Sequence, residues 1–147
     1  MQGDYGLFQC SKPCHNKTYD NKEMILKMIS SIRNNKIPKE LIPRCPICGE
    51  PMTTNLRSDD KFVEDEGWHK AKKRYDKFIN ENKHKKILFL ELGVGFSTPV
   101  WIKYPFMRYT YNNPNAKYAV CDIGYINIPK EIEKQSYIFN DDISKII

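Results

Sequence analysis

Four of the five cysteines fall into two close pairs, Cys10-Ser-Lys-Pro-Cys14 and Cys45-Pro-Ile-Cys48-Gly49, with thirty residues between them. Two thiolates two or three residues apart can hold one ion from a single turn, and two such turns complete a tetrahedron. Gly49 frees the backbone to curl around the ion, and Pro46 stiffens the turn. Structural zinc is the expected occupant of Cys10, Cys14, Cys45 and Cys48. Four sulfurs close the shell and leave no open position for water, so the ion stabilises rather than catalyses. Two disulfides would need an oxidising compartment, which no secretory segment supports. Redox chemistry at Cys45 and Cys48 would leave the first pair unexplained. His15 follows Cys14 directly, but adjacent residues rarely both ligate one ion, and four cysteines suffice. Cys121 lies in an apolar stretch and reads as a small core residue. His69 and His84 lie in a lysine-rich region and read as solvated side chains.

A second place for chemistry is Glu91-Leu-Gly-Val-Gly-Phe-Ser-Thr-Pro99, which follows a short apolar run. Open α/β sheets bind ligands at the carboxyl ends of their strands, where bare backbone approaches phosphates. Gly93 and Gly95 permit such an approach, and Ser97 or Thr98 can cap a helix starting at Pro99, whose N-terminus favours an anion. A tight structural turn is an equal reading, since the spacing does not complete the Gly-x-Gly-x-x-Gly fingerprint.

These groups need elements to hold them. Asp20-Asn-Lys-Glu23 followed by Met24, Ile25, Met28, Ile29 and Ile32 predicts an Asp-capped helix with an apolar stripe, read as packing rather than a partner groove. Asn34-Asn35 and Pro38 end it. A second helix follows from Trp68, with Trp68, Ala71, Tyr75 and Phe78/Ile79 on one face and lysines on the other. Ile87-Leu-Phe-Leu-Glu-Leu92 is nearly continuously apolar and stops at Gly93, as for a strand buried on both faces of a parallel sheet. Tyr118–Ile123 and Ser136–Phe139 are further strands, the last preceded by a Pro-initiated helix, Pro129–Gln135. The order is that of an α/β fold. The expected architecture is a partial Rossmann-like parallel sheet with a small zinc-binding module containing a helical insertion, the module in 1–66 and the sheet in 67–147.

The 147 residues carry 24 Lys+Arg against 18 Asp+Glu, a formal charge of +6, with 40% apolar and 29% charged residues. That balance suits a globular chain rather than a disordered one. No apolar run approaches the ~20 residues of a membrane helix, and no signal-peptide pattern opens the chain, so a cytoplasmic protein is expected. The sequence pI near 9.0 points weakly to an anionic partner. Lysines and glutamates are scattered, and without a reader motif nucleic acid is disfavoured.

A module with two cysteine pairs, upstream of a strand–Gly-x-Gly segment and a further α/β half, resembles the C-terminal part of a sirtuin. Gln2-Gly3 stands where that family has its catalytic His-Gly pair. Gly93-Val94-Gly95-Phe96 stands for the Gly-Thr-Ser-Leu loop that meets NAD, and Cys121-Asp122 for the Ile-Asn pair near the adenosine ribose. Asp141-Asp142 precedes a segment similar to the adenine-side closing loop. The strings Gln2-Gly-Asp-Tyr-Gly-Leu-Phe-Gln-Cys10, Asn55-Leu-Arg57, Phe62-Val-Glu-Asp65 and Gly93-Val-Gly-Phe-Ser-Thr-Pro99 resemble the microbial sirtuins linked to macrodomain operons. Those act as protein ADP-ribosyltransferases on a lipoylated glycine-cleavage H-like carrier.

The resemblance implies Gln2 and Arg57 as catalytic residues. It implies Gly93, Val94, Gly95, Phe96, Asp122 and Asp142 as NAD-binding residues, and a lipoylated carrier and a macrodomain protein as partners. A neutral amide at Gln2 cannot act as a general base, which fits loss of nicotinamide better than deacylation. The family's N-terminal half, with its Gly-Ala-Gly-Ser phosphate loop and Gln-Asn-x-Asp nicotinamide pocket, has no counterpart in this sequence. A split or truncated reading frame, or a fragment, is therefore expected, inactive without that half. The rival readings are a sirtuin deacylase and a zinc-ribbon module that binds nucleic acid or protein.

Overall fold

A computed structural model describes residues 2–96 and 99–146. The chain forms two compact units, Met1–Arg74 and Tyr75–Ile147.

The first unit is built on a small antiparallel sheet, β1 (Gly3–Cys10), β2 (Tyr19–Asp20) and β3 (Met52–Leu56), in the order β2-β1-β3. The apolar pattern gives no hint of it, because the first four residues of β1 are exposed and its register with β3 shifts between Asp4 and Phe8. Asn21 holds the shifted segment: its backbone N–H donates to the Gly6 carbonyl at 3.0 Å and its side chain to the Tyr5 carbonyl at 2.7 Å. The helix α1 (Lys22–Ser30) starts after Asn21, whose amide is turned to β1, while the Asp20 carboxylate accepts from the Lys22 N–H at 3.0 Å. The expected stripe packs in part: Met24, Ile25 and Met28 are half-buried, whereas Ile29 and Ile32 are exposed. Asn34 and Asn35, both at positive φ, form a tight turn closed by the Arg33–Lys36 bridge, a conformation that asparagine tolerates.

The buried centre of this unit is largely polar. The Gln9 carboxamide oxygen accepts from the Asn55 side chain at 2.7 Å and from the Val63 N–H at 2.9 Å, and its NH2 donates to the Lys61 carbonyl at 2.8 Å. These bonds pin the segment after β3 onto the sheet. Asp65 then caps α2 (Glu66–Asn82), accepting from the Trp68 N–H at 2.7 Å, so the helix begins two residues ahead of the expected Trp68.

The second unit carries three parallel strands, β4 (Leu88–Leu92), β5 (Lys117–Cys121) and β6 (Ser136–Phe139), in that spatial order. The expected mixed α/β fold with a parallel sheet is what forms. The helix α3 (Lys103–Tyr111), after a 3-10 turn at Pro99–Trp101, makes the first crossover. The connection before β6 is a 3-10 helix, Lys130–Gln135, rather than the expected α-helix, since so short a segment gains little from α-helical cooperativity. Its Gln135 amide donates to the carbonyls of Thr110, Asn113 and Ala116. Phe89, Met107, Ala116, Tyr118, Val120 and Ile132 form the core.

Among the described residues one face of this sheet is open along its outer strands, while Ala119 and Cys121 of β5 are buried between them. Phe89 and Glu91 are buried, but Leu88, Leu90 and Leu92 alternate with them and are exposed, as are Tyr137 and Phe139 in register across β5. The expectation that the first strand is buried on both faces is thus corrected. Cys121 is buried in β5, and His69 and His84 are exposed. Among the described residues no helix is long and apolar enough to cross a membrane.

Candidate metal centre and nucleotide cradle

The register of the first sheet assembles the sulfur cluster. Cys10 ends β1 opposite Met52, the first residue of β3, and Ser11 donates to the Pro51 carbonyl at 3.1 Å. The second pair sits on the turn leading into β3. Cys45 N–H donates to the Glu50 carbonyl at 2.7 Å, Gly49 N–H donates to the Cys45 carbonyl at 2.9 Å, and Gly49 adopts φ +74°, where its missing side chain is needed. Cys10, Cys14, Cys45 and Cys48 place their sulfurs within 4.8 Å of one another and can hold a metal ion. The Sγ–Sγ distances Cys10–Cys48 and Cys14–Cys45 are 3.5 and 3.6 Å. A tetrahedral zinc with bonds of ~2.3 Å spaces its sulfurs ~3.8 Å apart, so the cluster fits that ion with little adjustment.

The local field prepares the sulfurs unequally. The backbone N–H of Cys14 draws the Cys10 thiol down to about 7, toward the thiolate a metal needs. Cys14 is pushed up, first by its hydrogen bond with Cys48 and then by desolvation. His15 is not among the converging donors. Its Nδ1 lies 3.2 Å from Cys14 Sγ and its Nε2 2.8 Å from the Tyr19 hydroxyl.

The sheet also brings Gln2 and Arg57 side by side. The Arg57 N–H donates to the Gln2 carbonyl at 2.9 Å, one step beyond the Gly3–Leu56 pair. Gly3 makes this possible: at φ +100°, a Cβ would lie 1.9 Å from the Asn55 carbonyl oxygen, so no side chain fits there. The Arg57 guanidinium donates to Glu64 at 2.6 Å and lies 4.1 Å above the Phe62 ring and 5.6 Å from that of Trp68. Partly desolvated and stacked, it is a fixed rather than a swinging cation. Its holders Phe62 and Glu64 stand in a quoted motif, yet sequence spacing gives them no role.

In the second unit, Gly93, Asp122 and Asp142 come together with Ile123, Asp141 and Ile143 around a cavity of about 320 Å³ beyond the carboxyl ends of the strands. Gly93 takes φ +63°, donates to the Cys121 carbonyl at 2.8 Å, and has Ile143 within 3.2 Å of where a Cβ would stand. At Gly95 a Cβ would meet nothing within 4 Å, so that backbone faces open space. Val94, Gly95 and Phe96 lie along the same loop, outside the lining of this cavity; Phe96 stands 6.4 Å from the Tyr125 ring. Ser97 and Thr98, the expected caps, lie outside the described residues.

Carboxylates dominate the cavity. Asp141 is held below the usual range by Lys145, and Asp142 by the Ser144 hydrogen bond that caps the last turn. Asp122 accepts from the Gly124 N–H at 2.8 Å. Three negative groups repel a phosphate but accept from hydroxyls or an amine, so the cavity fits the nucleoside end of a dinucleotide.

Beneath the Gly93 loop lies a pair that sequence reasoning missed. Lys103 Nζ donates to Glu91 Oε2 at 2.6 Å, and the two side chains are 4% and 0% exposed. Burial and the Glu91 carboxylate push the Tyr118 phenol up. The available signal was a lone acid inside an apolar strand, which demands a buried partner.

No known family profile matches the chain. Across its whole length it is 40% identical, over 148 aligned residues, to a Staphylococcus aureus (strain Mu50) protein named protein ADP-ribosyltransferase. The match takes in 47% of that protein, so the chain spans about half the length of the curated relative it matches.

Proposed function

We propose that this chain provides the zinc module and the carboxyl-terminal half of the NAD cradle of a sirtuin-type protein ADP-ribosyltransferase. The observation that carries the reading is the likeness, along the whole of this chain, to the S. aureus protein named protein ADP-ribosyltransferase. The geometry supports it in three ways. Gln2 adjoins Arg57; its side-chain amide can orient a ribose through hydrogen bonds and cannot take a proton at neutral pH. Arg57, whose backbone N–H bonds the Gln2 carbonyl and whose guanidinium is held by Phe62 and Glu64, can offer its remaining N–H groups to a phosphate or an acidic acceptor. Gly93, Asp122 and Asp142 frame a cavity suited to a nucleoside.

When bound, NAD supplies an ADP-ribosyl group whose bond to nicotinamide breaks at the ribose carbon. The zinc ion remains structural, holding β1 and β3 in the register that keeps Gln2 near Arg57. The uncovered face of Leu88, Leu90, Leu92, Tyr137 and Phe139 supports a cradle completed by further polypeptide, because parallel sheets are covered on both faces. Carried over from the family resemblance, the acceptor is a lipoylated H-like carrier and a macrodomain protein is the functional partner.

A chimera tests this. The 147-residue chain replaces the matching segment of the S. aureus relative, and transfer from labelled NAD to the lipoylated carrier is followed. The chimera is expected to modify the carrier, Gln2→Ala and Arg57→Ala chimeras to lose at least tenfold in rate (about 1.4 kcal/mol of barrier), and the chain by itself to show no turnover. A folded, zinc-loaded chimera that modifies nothing while its parent does, or that removes acetyl groups from lysine instead, overturns the reading.

A further inference from the structure

Cys14 is one of two exposed members of the sulfur cluster. Cys14 and Cys48 are exposed, whereas Cys10 and Cys45 are buried. Four thiolates around a divalent ion carry a net charge of two minus, and an exposed sulfur in such a set is the one that protons and electrophiles reach first. At that sulfur stands an imidazole. His15 Nδ1 is 3.2 Å from Cys14 Sγ, and on its far side Nε2 is 2.8 Å from the Tyr19 hydroxyl. The two rings are 5.7 Å apart and tilted by 55°, so the contact is edgewise and aimed rather than stacked. Tyr19 belongs to β2 and pairs with Phe8 of β1, two residues before the first cysteine. The phenol is therefore anchored to the same strand pair that carries Cys10.

A ring between a thiolate and a phenol has one self-consistent proton arrangement. A metal-bound thiolate has no proton to give, so Nδ1–H donates to sulfur; Nε2 is then bare and accepts from the Tyr19 O–H. We propose that His15, set by Tyr19, is a positioning residue of the metal centre: it is not a ligand, and its hydrogen bond to Cys14 withdraws charge from the exposed sulfur and retains it on the ion. The inference rests on the metal-centre reading and is independent of the enzymatic one. Outer partners of this kind change metal affinity by about 10- to 100-fold when removed.

The test uses the full 147-residue chain loaded with zinc, and separately with cobalt(II), as wild type, His15→Ala and Tyr19→Phe. Metal content is measured first, then the rate of zinc release to a coloured chelator at neutral pH, then the cobalt–thiolate charge-transfer band. All three proteins are expected to hold one ion. His15→Ala is expected to release it about tenfold faster or more. Its charge-transfer band should move to longer wavelength, because a sulfur without its N–H donor gives up electron density more easily. Tyr19→Phe should move both readouts the same way and less far, and it carries the test should His15→Ala not fold. Stoichiometric metal with unchanged release and unmoved bands in both variants overturns the role of His15 alone. A wild-type chain that binds no metal overturns the metal centre and this inference with it.

Discussion

In Met1–Arg74 the buried side chains are Phe8, Gln9, Cys10, Asn21, Cys45, Asn55 and Val63; in Tyr75–Ile147 they include Phe89, Met107, Tyr118, Val120 and Ile132, with Glu91 and Lys103 paired beneath a loop. Among the described residues the first set holds two apolar groups larger than cysteine, Phe8 and Val63. The remainder are amides bonded to one another or to the backbone, and sulfurs that converge on a point. Two fully buried apolar side chains contribute only a few kcal/mol, so an ion held by the four sulfurs would be a main support of the first unit. The second folds by burying aromatic and aliphatic side chains on one side of its sheet. Two neighbouring stretches of one chain thus answer the same entropic problem with different chemistry.

Metal removal separates them most sharply. Structural zinc sites contribute roughly 10 kcal/mol or more of folding free energy. Stripping the ion with a chelator, or replacing Cys45 by Ser, is expected to unfold Met1–Arg74 while β4, β5 and β6 keep their protection. Amide hydrogen exchange reads both units at once. Loss of protection in Leu7–Cys10 with retention in Tyr118–Val120 is the expected outcome. Equal loss in both would erase the distinction between the units.

The converse break lies in the second unit. Lys103→Met leaves the Glu91 carboxylate buried without its cation, which costs about 3–5 kcal/mol. Exchange in Tyr118–Val120 should accelerate accordingly, with metal content unchanged. Glu91→Leu combined with Lys103→Met should recover most of the loss, because well-packed apolar replacements of a buried pair are often neutral. A double variant as unstable as the single one would place the defect in packing instead of charge.

How much of this was legible beforehand follows from where the information lies. The cysteine pairs were readable because metal ligation fixes both residue type and spacing, and the fold unites the four sulfurs. The parallel strands were readable because each is a short apolar run, although Leu88, Leu90 and Leu92 mimic a strand buried on both faces when one face is open. Sheet β2-β1-β3 escaped notice because its stability comes from Gln9, Asn55 and Asn21, polar side chains whose bonds span 8 to 54 residues and leave no local period. Asp20, the expected cap, does accept from the first helical N–H, that of Lys22, whereas nothing local announces that the neighbouring Asn21 serves β1. The pairing of Lys103 with Glu91 and of Arg57 with Glu64 is likewise a property of the folded chain.

Acid gives the finest contrast between the units. Asp141 and Asp142 sit below the ordinary carboxylate value, through Lys145 and Ser144 respectively. A carboxylate whose folded value is depressed binds its proton less readily in the native state. Its contribution is therefore present above the ordinary value and is lost as pH falls through the depressed one. Both groups are exposed, so that loss is small, gradual and confined to the Ile143–Lys145 turn. In the first unit, protons compete directly with the ion for thiolates, and the four sulfurs bind up to about four protons when an ion leaves. Metal release should accordingly be steep in pH, and the whole of Met1–Arg74 should lose protection with it. A titration followed by metal release and by exchange at Ser144 and Lys145 is expected to give one steep and one shallow curve. Two curves of equal steepness would mean that the carboxyl-terminal turn answers to the ion, and that the units are energetically one.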